Sequence, residues 1–166
     1  MKSRSIIRDL SRQNLSTRCI TSVGEAEKEM KIENYSIPEN LYYTREHEWA
    51  LLEKPDTVRI GITDYAQKAL HEIVFVDIPK RGITIEQMKS IGTVESVKAV
   101  SEVFSPVSGQ IIDVNEELQL SPELVNKDPY GRGWIALIKA NNFGTDSKKL
   151  LTPTQYAEYI KKLLQH

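Results

Sequence analysis

Two valine-rich runs flank a single cation, Lys98, within the stretch Ile91–Pro106. Their β-branched side chains pack well on a half-buried pleated surface, so each run predicts a strand and the pair a hairpin with Lys98 near its tip. Val97, Ala99 and Val100 interrupt strict alternation. No Asn-Gly or Asp-Gly marks a primed two-residue turn, and a type I turn, which most residues tolerate, is the expectation.

The elements around this hairpin are short. Leu41–Thr44 and Glu48–Glu53 read as strands on either side of His47, and Pro55-Asp56 as a turn. In Thr57–Ile62, Val58, Ile60 and Ile62 recur with period two and face one side. Thr63 or Asp64 caps a short helix through Leu70. Glu72–Ile78 is apolar on both faces, which predicts a central strand covered on both sides and ended by Pro79. After the hairpin, Pro106 and Gly109 bracket a turn before Gln110–Val114. Ser121-Pro122-Glu123 starts a one-turn helix with serine as its cap. Gly133–Lys139 is the last strand, with Trp134 expected in the core. Thr152-Pro153-Thr154-Gln155 joins a capping box to an N1 proline, and Tyr156, Ile160, Leu163 and Leu164 give an amphipathic helix over 153–165. Many short strands with few helices make the chain mainly β, a sandwich or flattened barrel with short helices.

At 166 residues, one compact domain and a tail are expected. The net charge of −1 argues against non-specific nucleic-acid binding. No apolar run is long enough for a membrane span. The single cysteine, Cys19, lies in the tail, which leaves no basis for a disulfide framework or a cysteine-based metal site. Residues 1–24 set Lys2, Arg4, Arg8, Arg12 and Arg18 against one acid, Asp9, amid many hydroxyls, and Ile6, Ile7, Leu10 and Leu15 add an apolar face. That composition fits an organelle transit peptide or a basic extension. Glu25–Tyr35 reads as a charged linker or a frayed helix. The expected division is a transit peptide and linker over 1–30 and a domain over 31–166.

A long lysine at a rigid tip between small neighbours suits attachment of a group carrier such as biotin or lipoamide; a solvated surface lysine is the plain alternative. The wider motifs bear on that choice. Gly92-Thr93-Val94-Glu95-Ser96-Val97-Lys98-Ala99 followed by Ser105-Pro106-Val107-Ser108-Gly109 resembles the lipoylation site of the glycine cleavage system H-protein family. His47-Glu48-Trp49, Gly61–Gln67, Val74–Pro79 and Asp128–Trp134 resemble further family motifs in family order, over about residues 38–164.

The resemblance implies the lipoyl/biotinyl hybrid-motif fold and (R)-lipoate joined covalently to Lys98. It implies no catalytic site of the chain's own: the lysine arm would take the aminomethyl group of glycine from the pyridoxal-phosphate-dependent glycine dehydrogenase (decarboxylating). It would pass it to aminomethyltransferase, which uses tetrahydrofolate, and be reoxidised by dihydrolipoamide dehydrogenase. Glu95 and Gly109 match positions that present the lysine to lipoate-attaching enzymes, although a turn needing positive φ also explains a glycine at 109. Glu48 and Glu102 match acids lining the cleft where the loaded arm docks, which would favour a cationic load. A monomer in the mitochondrial matrix is the corresponding expectation. Other readings remain: relay of lipoate to 2-oxoacid dehydrogenases, a carrier domain of another complex, or an acid–base or metal cluster of His47, Glu46, Glu48 and His71. Departures from the family pattern are His71, where a glycine is common, Glu46, where a small residue precedes the His-Glu-Trp motif, and the absence of a glycine in Ile83–Met88.

Overall fold

A computed structural model of the chain describes residues 28–165. The proposed transit segment lies outside them. Strands run in the order β1 (Glu29–Ile32), β2 (Tyr35–Pro38), β3 (Tyr42–Tyr43), β4 (Glu48–Lys54) and β5 (Thr57–Ile62), then helix α1 (Asp64–Leu70). Next come β6 (Ile73–Asp77), β7 (Thr84–Ile85), β8 (Ser90–Ser96), β9 (Val100–Phe104) and β10 (Gly109–Val114), and the single-turn helices α2 (Glu117–Leu120) and α3 (Leu124–Lys127). β11 (Ala136–Ala140), α4 (Phe143–Ser147) and α5 (Pro153–Leu164) complete the chain.

A six-stranded antiparallel sheet, β3-β4-β5-β11-β10-β7, and a three-stranded one, β6-β8-β9, share one apolar core. Val58, Ile60, Ile111 and Ile138 enter it from the larger sheet, and Ile73, Val76, Val94 and Val103 from the smaller. The expected β sandwich follows from period-two patterning, which gives each sheet one apolar face to hide. A second cluster of Ile37, Leu41, Tyr43, Trp49, Tyr156, Ala157 and Ile160 sits beneath α5. Trp49 is fully buried there, and its cross-strand partner is Gly61, where a Cβ would lie 2.7 Å from the indole.

α5 begins as its sequence dictates. Thr152 accepts from the Gln155 N–H, and the Gln155 side chain accepts from the Thr152 N–H, with Pro153 following the cap. A helix of this length is marginal alone, so packing holds it. Tyr156, Ala157 and Ile160 are buried, and Tyr156 stacks on Tyr43 with centroids 4.4 Å apart. Leu163, expected on that face, is 37% exposed, whereas Ala157 is buried.

Several expectations are corrected. Glu29–Ile32 is a strand, neither linker nor helix, so ordered structure starts before residue 31: Met30 and Ile32 turn toward the α5 cluster while Glu29 and Lys31 pair outside. β6 is an edge strand, not a central one. A bulge between Ile73 and Phe75 breaks its alternation, so Ile73 and Val76 point inward while Val74 and Phe75 stand about half exposed. Trp134 is only half-buried, with Arg59 over its ring at 4.4 Å. Ser121 ends α2, and α3 starts two residues beyond Pro122 without a side-chain cap.

His71 occupies the C-cap of α1 with φ 69° and ψ −148°, a region that suits glycine and strains any side chain. Met88, in the other turn lacking a glycine, has φ 65°. The exposed His71 keeps its backbone bonds, N–H to Gln67 O and C=O from Asn126 Nδ2, whatever its side chain. His71→Gly should therefore raise stability by about 1 kcal/mol, read as a higher urea midpoint at unchanged m value. An unchanged or lower midpoint would refute the strain argument.

Candidate functional site

Lys98 stands on the loop Val97-Lys98-Ala99 between β8 and β9, whose last pair is Glu95 and Val100. Val97 and Lys98 at its tip are exposed, and neither has positive φ, so the tip is not a primed turn. A side chain closes it instead. The buried Ser96 Oγ accepts from Lys98 N–H (3.2 Å) and Ala99 N–H (3.1 Å). Ser96 N–H donates to Ala99 O at 2.8 Å, and Val97 N–H to Glu72 O at 3.1 Å, tying the tip to the entry of β6. Among the described residues no carboxylate lies within ion-pair distance of Lys98.

The outer face of the small sheet follows from register, because paired residues share a face. Phe75, Glu95 and Val100 form one row, all exposed; Asp77, Thr93 and Glu102 form the next. Glu95 thus stands on the outer face, three residues before Lys98. Gly109 lies in the other sheet, at the start of β10, and its φ is not positive. The reason for glycine there is close approach: a Cβ would fall 2.1 Å from Lys139 O of β11.

Glu48 and Glu102 have different surroundings. Glu102 is exposed on β9. Glu48 is 1% exposed and both its oxygens are engaged. Oε1 accepts from the Thr44 hydroxyl and Oε2 from the Phe104 N–H at 3.0 Å, which links β4 to β9 across the two sheets. Burial pushes its carboxyl up to about 7 against these hydrogen bonds. Of the two acids expected to line the cleft of the loaded arm, Glu48 is thus a buried brace and Glu102 an exposed acid.

His47 precedes that brace at φ 78°. Its Nδ1 meets the Tyr156 hydroxyl at 2.9 Å, and the same hydroxyl meets Thr63 Oγ1 at 2.8 Å. Tyr65 and Tyr159 flank the ring, and burial lowers its pKa to about 4. Glu46 beside it is exposed, as is His71 at the end of α1, and among the described residues no cluster of three or more acids, histidines or cysteines is placed to hold a metal. His47 anchors α5 rather than forming an acid–base pair.

Residues 41–163 match the family model described as glycine cleavage H-protein. The chain belongs to this family. A probable glycine cleavage system H protein from Pyrococcus abyssi is 51% identical over 134 residues, 81% of this chain and 99% of that one. The glycine cleavage system H protein of Thermus thermophilus is 47% identical over 125 residues, 75% of this chain and 96% of that one. The crystal structure of a glycine cleavage system H protein from Mycobacterium marinum superposes with a TM-score of 0.67 at 38% identity, covering 74% of this chain and 97% of that chain. The expected mitochondrial location is corrected here. These H-protein relatives, and others from Pyrococcus horikoshii and Saccharolobus solfataricus, come from archaea and bacteria, which have no mitochondria. A basic, hydroxyl-rich start is a compositional signal that does not by itself specify an address.

Sequence reasoning missed the closing role of Ser96 and the outward turn of Val74 and Phe75. A serine two residues before the tip lysine was a readable signal for the first, since serine hydroxyls commonly bond nearby backbone. A bulge leaves no such mark.

The two buried groups oppose each other with pH. Glu48, raised from 4.5 to about 7, contributes stability that is full below about 4.5 and lost as pH rises through 7. His47, lowered from 6.5 to about 4, contributes stability that is full above about 6.5 and lost as pH falls through 4. Relative to Glu48→Gln, the parent chain should lose on the order of 2–3 kcal/mol between pH 5 and pH 8, in paired urea titrations. Parallel pH profiles for the two proteins would refute the assignment.

Proposed function

We propose that Lys98 bears the lipoyl group through which this chain serves the glycine cleavage system as its carrier protein. Family membership makes it a carrier of that system. The observation that carries the assignment to Lys98 is its place: an exposed amine on the tip of a tightly held hairpin, clear of ion-pair partners among the described residues. Such a site fits an amide-linked arm, because acylation removes a charge that no neighbouring carboxylate depends on. When bound, a lipoyl group supplies a disulfide that opens to take a one-carbon amine and closes again on reoxidation.

The chain's own residues then present and steer the arm. Glycine dehydrogenase, aminomethyltransferase, dihydrolipoamide dehydrogenase and a lipoate-attaching enzyme would each have to reach the same tip. They would meet the outer face of the small sheet, where Glu95 is a recognition carboxylate between Phe75 and Val100. Gly109 contributes by letting β10 and β11 close up beneath. Glu102 is the acid free to attract a cationic load on the arm, an exposed pairing of about 0.2–1 kcal/mol. Glu48 acts by fixing β9, which carries Glu102, to β4. No bond at these residues is broken or made, so the chain acts as a substrate of its partners rather than as a catalyst.

Lys98→Arg keeps the positive charge and removes the acylable amine. Coexpressed with a lipoate-attaching enzyme, the parent chain should gain the lipoyl mass and the variant none, with equal denaturation midpoints. Lipoyl mass on the variant, or on another lysine in peptide maps of the parent chain, would refute the assignment.

A further inference from the structure

We propose that Ser96 is the positioning residue for Lys98: its hydroxyl, rather than a backbone turn, fixes the lysine's backbone in the conformation that modifying enzymes accept. The inference rests on Lys98 being the attachment point. The four N–H groups from Ser96 to Ala99 all have partners, and two of them share the Ser96 hydroxyl. That hydroxyl also lies 3.2 Å from Ala99 O. In an ordinary two-residue hairpin the closing pair would exchange two backbone bonds. Here Ser96 N–H to Ala99 O is made, while the Ala99 N–H turns to the side chain.

The placement argues for presentation rather than for general stability. All three contacts of the hydroxyl lie within the tip, two or three residues away, and none joins it to the core or to another strand. Register explains why the hydroxyl stays in place. Ser96 pairs with Ile73, so its side chain points inward and is 7% exposed, while Glu95, Val97 and Lys98 on either side are open. A short polar side chain at that position reaches back to the two N–H groups that follow. With alanine there, the Lys98 and Ala99 N–H groups are left to solvent and Val97-Lys98 samples other turns, none favoured by positive φ.

An enzyme that acylates Lys98 must bind the fraction of molecules whose tip is correctly formed. A smaller fraction raises the apparent dissociation constant and leaves turnover of the bound chain alone. Loss of two modest hydrogen bonds at a local site corresponds to about a tenfold change.

The test uses the full chain as acceptor for a purified lipoate–protein ligase, with lipoate and ATP. For Ser96→Ala, KM for the acceptor chain should rise about tenfold with kcat close to the parent value. In the unmodified chain, hydrogen exchange at the Lys98 and Ala99 amides should quicken by a similar factor, with the Val94 amide unchanged. Ser96→Cys keeps shape but supplies only a weak acceptor, and should behave like alanine; Ser96→Thr keeps the hydroxyl and should restore both readouts. Parent-like KM and tip exchange in Ser96→Ala or Ser96→Cys would overturn the inference while leaving Lys98 as the attachment point. A parent chain that gains no lipoyl mass at Lys98 would overturn the underlying reading as well.

Discussion

Burial of the inward side chains of β8 and β9 against the larger sheet holds the lysine-bearing hairpin in place. Val94 and Val103 reach full or near-full burial in the same core as Ile60, Ile111 and Ile138. Each such side chain contributes about 1.5–3 kcal/mol relative to exposure. An isolated hairpin is marginal in water, and this shared core supplies the fixed base on which the tip is formed. The same alternation that buries Val94 leaves Thr93 and Glu95 on the outer face, so anchoring and presentation come from one pattern.

Two polar groups tie distant elements together through hydrogen bonds. Glu48 joins β4 to β9 through the Phe104 N–H, and His47 joins the preceding turn to α5 through Tyr156. Their opposite pKa shifts make the interior tolerant of moderate pH change, because one group's contribution rises where the other's falls. Both residues belong to the short motif that opens β4, which thereby fixes the lysine hairpin on one side and the C-terminal helix on the other.

Two residues with side chains sit in strained backbone that would suit glycine. His71 and Met88 adopt positive φ in tight connections leading into β6 and β8. Hydrogen bonds hold both turns despite that strain: His71 N–H donates to Gln67 O and its C=O accepts from Asn126 Nδ2, and Met88 N–H donates to Ser105 O. Neither position touches the tip contacts of Ser96.

The sequence by itself determined the period-two strands such as Val58-Ile60-Ile62, the capping box at Thr152, the hairpin around Lys98 and, through its ordered motifs, the family. Those are local or near-local properties, set by alternation, side-chain caps and spacing. Tertiary structure decided what depends on partners distant in the chain. It made β6 an edge strand with a bulge, although its composition reads as central, because a bulge is set by pairing with β8. It withdrew Glu48 from solvent through a contact to Phe104, and it gave Gly109 its purpose through the approach of β11. It placed Trp49 rather than Trp134 in the core, because Gly61 opposite Trp49 leaves room for an indole. Residue type sets what a side chain is able to do; which neighbours it meets is fixed only when the two sheets close on their common core.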